Sequence, residues 1–151
     1  MLTRPRGRPS IALVAVGAAL ALLVGCGDGG ATSESSSGSN SATSVDVADS
    51  KFTSSTGQKT VDVAVVDNTF APSYLRVSPG TKLVFTNDGR NDHNVTPVDP
   101  ESFEAIPTEN FGPGQVASVT VGGAGDYGFY CSIHGTKRLN GQSGVIRVVA
   151  A

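Results

Sequence analysis

From Lys59 to the C-terminus, apolar residues recur at every second position in short runs. Val61, Val63 and Val65 alternate with Thr60, Asp62 and Ala64, and Leu83 and Phe85 alternate with Lys82, Val84 and Thr86. Ala117, Val119 and Val121 alternate with Ser118 and Thr120. Tyr127, Phe129 and Cys131 share one face of a further run, and Ile146 and Val148 share one face of the last. A period of two marks a strand with one buried face. Turn-forming residues separate the runs: Pro79-Gly80 before the second, Asn87-Asp88-Gly89 after it, and Gly122-Gly123-Ala124-Gly125 between the third and fourth. No segment carries a convincing apolar repeat at helical spacing, and no internal repeat occurs. The pattern predicts one all-β domain over residues 58–151, a sandwich or barrel of short strands.

The first 57 residues follow different rules. Arg4, Arg6 and Arg8 precede an apolar run of 14 residues, 11–24. A membrane-spanning helix needs about 20 residues, so the run is too short to span and fits the core of an export signal. Leu23-Val24-Gly25-Cys26 closes it. This tetrapeptide resembles the lipobox of bacterial lipoproteins. The resemblance implies a signal peptide over residues 1–25, cleavage before Cys26, and lipid on Cys26 that anchors the protein to the outer face of a bacterial cell membrane. No twin-arginine pair is present, which favours export as an unfolded chain. Residues 27–57 contain ten Ser, five Gly and four Thr in 31 positions. Such a segment buries too little apolar surface to offset its ordering entropy. A disordered tether over residues 26–57 is therefore expected, with a reach of roughly 30 Å.

Charge excludes one class of partner. The whole chain has 11 basic and 13 acidic residues. Losing Arg4, Arg6 and Arg8 with the signal leaves 8 − 13 = −5. A nucleic-acid-binding domain needs a basic footprint, and this one has none. The domain is expected to be a monomer.

Candidate chemistry lies in three scarce residues. His93 and His134 are the two histidines of the chain, and Cys131 is the one cysteine besides Cys26. Cys131 and His134 stand three apart at the end of the fourth run, and His93 follows the second run after a turn. Ends of neighbouring strands meet at one pole of a sandwich, so the three can converge. An exported protein meets oxidising surroundings, where an unpaired thiol is a liability unless it holds a metal. One thiolate and two imidazoles match the His₂Cys site of blue copper with a weak axial ligand. Zinc sites draw on more Cys or His than the domain offers, and iron–sulfur clusters on more thiolates.

These residues sit in segments that resemble cupredoxins, the plastocyanin-like blue copper proteins. Asn68-Thr69-Phe70-Ala71-Pro72 and Leu75-Arg76-Val77-Ser78-Pro79-Gly80-Thr81 resemble the opening of such domains. His93-Asn94-Val95 resembles their first ligand segment, residues 125–135 their ligand strand and loop, and Gly144-Val145-Ile146-Arg147-Val148-Val149 their closing strand. The resemblance covers essentially all of residues 59–151. It implies a Greek-key β-sandwich that holds one copper ion, as Cu(I) or Cu(II), on His93, Cys131 and His134. It further implies that Asn94 ties the His93 segment to the Cys131 loop and that His134 is the electron port. Tyr130 resembles a second exit route, and an outward strand aromatic is an equally good description of it.

The chain departs from the family at the axial position. Many relatives place Met there, but Met1 is the one Met in this chain and leaves with the signal. Relatives with a long ligand loop carry Gly-Met-x-Gly before the last strand; here Gly141-Gln142-Ser143-Gly144 stands in its place. The resemblance, to stellacyanin-like members in particular, makes Gln142 the axial ligand, with Leu139 filling that side without ligating as the alternative. The function implied is a membrane-tethered carrier of single electrons between redox protein partners, not an enzyme, since both histidines are already used. Extracytoplasmic copper storage or delivery is the alternative.

Overall fold

A computed structural model describes residues 46–150 of the chain. The expected signal peptide, Cys26 and the tether up to residue 45 lie outside the described residues. Those that are described form an all-β sandwich of two sheets, with two single 3-10 turns, Asp49–Lys51 and Thr108–Asn110, and no α-helix among them. The strands are β1 (Thr53–Ser54), β2 (Thr60–Val66), β3 (Thr69–Ala71), β4 (Tyr74–Val77), β5 (Lys82–Asn87), β6 (Thr96–Pro97), β7 (Val116–Thr120), β8 (Gly125–Gly135) and β9 (Gly141–Val148). One sheet runs β1-β4-β9-β8-β6 and the other β3-β2-β5-β7.

Alternation along each strand decides what is buried. In β2, Val61, Val63 and Val65 point inward while Thr60, Asp62 and Val66 are exposed. Leu83 and Phe85 of β5 meet Phe129 and Ile146 of the opposite sheet in one continuous core. Phe70, Phe85 and Phe129 form its centre, edge to face, with ring centroids 4.9 to 6.1 Å apart. Gly144 lies opposite Phe129 in the ladder. A Cβ there would strike the Phe129 ring and the Ser73 carbonyl, so the ring occupies space that only glycine leaves free.

The structure corrects the expected boundary at residue 58. Residues 49–57, assigned to the tether on composition, belong to the folded unit. β1 pairs in parallel with β4, Ser55 is buried, and its N–H donates to the Arg76 carbonyl at 2.8 Å. Composition misled because long-range pairing, not local apolar content, holds this segment.

Candidate metal centre

β5 and β8 bring the three scarce residues to one pole. At the end of β5, the buried Asn87 amide donates to the Asn91 and Phe111 carbonyls, both at 2.9 Å. The Phe111 carbonyl also accepts from the N–H of His93, at 3.2 Å. The turn after β5 is thereby pinned, and His93 is carried, fully buried, to the end of the sandwich.

β8 delivers the other two through a large bulge. Tyr130 pairs with Ser143 and Gly135 with Gly141, so four residues of β8, 131–134, face one residue of β9. That one residue is Gln142. The surplus chain arcs over the pole with Cys131 and His134 on it. Both ends of the arc need glycine. A Cβ on Gly135 would strike the Gln142 carbonyl, and one on Gly141 the His134 carbonyl; Gly141 also has φ 76°.

The side chains converge. Cys131 Sγ lies 3.8 Å from His93 Nδ1 and 3.6 Å from His134 Nδ1. The ligand atoms of all three residues lie within 4.8 Å of one another. Cys131 is fully buried and His134 half-buried, so one edge of the group reaches the surface. Burial, with a smaller contribution from the positive charge His134 can carry, pushes the His93 pKa below the usual histidine value. Its imidazole is held neutral, the form that binds a metal.

Gln142 is 1% exposed and its Oε1 has no hydrogen-bond partner. An orphaned buried amide oxygen costs about 1–3 kcal/mol, which a metal ion at this pole would offset. Its Nε2 donates weakly to the Thr69 carbonyl at 3.4 Å. Leu139, the other axial candidate, lies elsewhere. It packs over Gly128, whose Cβ position is 3.3 Å from its Cδ1, on the face of β8 opposite to Cys131. Tyr130 is half-buried and pairs with Thr96 and Ser143.

Asn94 ties the two ligand segments together. Its Oδ1 accepts the Ser132 N–H at 2.8 Å, and its Nδ2 donates to Ser132 Oγ at 2.8 Å and Thr108 Oγ1 at 3.0 Å. Asn94→Ala strands the Ser132 N–H and Thr108 hydroxyl, and is expected to cost about 1–3 kcal/mol. Denaturant unfolding of the copper-free protein measures this, and a midpoint equal to the parent's would refute the clamp.

The donor set, one cysteine sulfur, two imidazoles and one unpartnered amide oxygen, fits copper better than a hard cation. Comparison with known proteins agrees. The sequence profile of the copper-binding proteins of the plastocyanin/azurin family matches residues 58–146. Chloroplastic plastocyanin from Pisum sativum is 37% identical over an 82-residue alignment, with 48% of this chain and 49% of that protein covered. The chain thus spans about half the length of that relative. Plastocyanin from Solanum crispum is 35% identical over 74 residues, covering 43% of this chain and 75% of its own. Among solved structures, a Met-to-Gln variant of amicyanin in the Cu(I) state superposes with a TM-score of 0.51 at 23% identity, over 60% of this chain and 83% of that one. At that identity the likeness shows the fold.

Proposed function

The chain belongs to the plastocyanin/azurin family of copper-binding proteins, and from that premise we propose that it is an exported, lipid-anchored blue copper protein that carries single electrons between redox partners. The observation that supports this most is the gathering of His93, Cys131 and His134 ligand atoms within 4.8 Å at one buried pole. These three residues would hold the ion, with Gln142 Oε1 as a further donor, and copper bound there would supply one-electron chemistry.

The chain's own residues set the terms of that chemistry. The Asn94 clamp and the Asn87 turn hold the ligand segments through hydrogen bonds that use none of the ligand side chains, so little need move when charge changes. Phe111, Phe129 and Val95, all fully buried, stand in the core that encloses Cys131 and keep water from its thiolate. His134 alone of the three ligands reaches the surface, and it is the contact through which an electron enters and leaves. Both histidines would be ligands, so neither is left to serve as a catalytic acid or base, and the reading is of an electron carrier. Export and lipid anchoring rest on the signal and on Cys26.

Adding Cu(II) to the purified protein is the direct test. An intense visible thiolate-to-copper absorption at one equivalent is expected, and a colourless product would sink the proposal. The axial assignment has its own test. An amide oxygen is a harder donor than a thioether and favours Cu(II), so Gln142→Met is expected to raise the reduction potential. A tenfold shift in relative affinity for the two oxidation states corresponds to about 59 mV for one electron, and a rise of at least that size is expected. An unchanged potential would remove Gln142 from the donor set.

A further inference from the structure

Leu139 holds a backbone conformation that leucine rarely adopts. Its φ is 59°, in the left-handed region, where a Cβ crowds the chain and Gly or Asn is the ordinary choice. Such a conformation persists only where the surroundings impose it. The turn that contains it follows His134 directly. The chain re-enters the ladder at Gly135, opposite Gly141. Between those two residues the Thr136 N–H donates to the Asn140 carbonyl and the Leu139 N–H to the Thr136 carbonyl, both at 2.9 Å. The Ser143 hydroxyl donates to the Leu139 carbonyl at 2.9 Å.

All of these bonds use backbone groups of residue 139, so glycine would make them with less strain. What glycine would lack is the side chain, and that side chain has a destination. Gly128 faces outward on the five-stranded sheet, between Tyr127 and Phe129, which pack on the core. A Cβ on Gly128 would stand 3.3 Å from Leu139 Cδ1 and 3.0 Å from Val98 Cγ2. Gly128 pairs with Val145, and Val145 with Tyr74. The Val98 N–H donates to the Gly128 carbonyl at 2.9 Å. Leu139, Tyr74 and Val145 line one surface cavity. Val145 and Val98 are both buried, yet neither belongs to the core between the sheets. They form a second, smaller apolar cluster on the outer face, and Leu139 is what the hairpin contributes to it.

Cys131 and Leu139 therefore grip opposite faces of one sheet. His134 lies between them on the arc, half-buried. Asn94 fixes the arc at Ser132, before His134; the hairpin 135–141 fixes it after. We propose that Leu139 is a positioning residue for His134. It pins the hairpin to the outer face of the sheet, so the imidazole stands in place before a metal arrives and stays there when charge changes. Leucine stands where glycine would be easier because the anchor outweighs the strain. The inference deepens the electron-carrier reading and rests on it.

The test compares three variants of the full chain. Leu139→Gly removes the anchor while easing the backbone. Leu139→Met restores a long apolar side chain. Val98→Ala trims the same cluster without touching the hairpin. In the copper-free protein, the His134 ring is expected to give one sharp set of NMR signals in the parent and in Leu139→Met, and broadened or doubled signals in Leu139→Gly. With copper bound, electron self-exchange oxidises one molecule's Cu(I) as it reduces another's Cu(II). Its rate is expected to fall about tenfold in Leu139→Gly and to stay near the parent's in Leu139→Met and Val98→Ala. Leu139→Gly and Val98→Ala should both lower the unfolding midpoint, so only a positioning role separates their exchange rates. Parent-like His134 signals and exchange in Leu139→Gly would overturn that role, and so would an equal fall in Val98→Ala. If Leu139→Gly does not fold, Leu139→Asn, which tolerates the same φ without an apolar anchor, carries the same expectations. A parent chain that stays colourless with Cu(II) overturns instead the copper reading on which the inference rests.

Discussion

Cys131→Ser is expected to leave a folded protein that stays colourless when Cu(II) is added. The substitution changes little in volume but replaces a group that ionises with one that does not. Sγ is the common neighbour of both imidazoles, at 3.8 and 3.6 Å, so its loss removes the centre of the donor set. Two imidazoles remain and still attract copper, but without a thiolate there is no charge-transfer band. Retained copper should leave much faster, because a neutral hydroxyl is a poor ligand for Cu(I). The residue is fully buried, and the new hydroxyl, on a shorter bond than the thiol, has neither imidazole at hydrogen-bond distance. Fold loss is therefore expected to stay within about 1–3 kcal/mol, which circular dichroism and denaturant unfolding separate from the loss of colour. A band that persists in Cys131→Ser would mean that copper sits elsewhere.

The three residues that the structure gathers at one pole were legible because they are scarce. A chain with two His and one Cys beyond residue 26 leaves few ways to build a soft metal site, and period-two alternation already placed those residues at strand ends. The fourth candidate donor needed more. Gln142 stood out only against a family pattern, and the physical reason for its placement, four residues of β8 opposed to one of β9, depends on a register that local sequence does not encode. Gly135 and Gly141 were the visible trace of that bulge, since each sits where two backbones pass too closely for a side chain. β3 and β4 were harder to see as strands, being three and four residues long and separated by Pro72. The pairing of residues 49–57 with the five-stranded sheet was hidden altogether. The segment's ionic partners, Arg76 and Arg147, lie far along the chain from Asp49, and its own composition is that of a linker. Alternation reports burial between sheets; it says nothing about charged rows that cross the outer face of one.

Phe129→Ala is expected to have the largest effect on stability of any substitution that spares the ligands. Phe129 belongs to the five-stranded sheet, while Phe70 and Phe85 belong to the four-stranded one, at 4.9 and 5.8 Å from its centroid. Its ring is thus a principal contact between the two sheets. Truncation of such a ring costs about 3–5 kcal/mol, against a total stability of about 5–15 kcal/mol for a domain of ordinary size. The neighbourhood cannot close the gap, because the residue opposite is Gly144, which has no side chain to move inward. Urea unfolding of the copper-free protein should show the midpoint falling with the slope unchanged, and a loss below about 1 kcal/mol would contradict the packing described. Copper retention should weaken in parallel. Phe129 and Cys131 are alternate residues on one face of β8, so a strand free to shift into the cavity carries the thiolate with it. Phe129→Leu keeps most of the volume and should lose far less of both. If Phe129→Leu weakened copper retention as much as Phe129→Ala while sparing the fold, the ring itself, not the rigidity of the strand, would be what holds Cys131 in place.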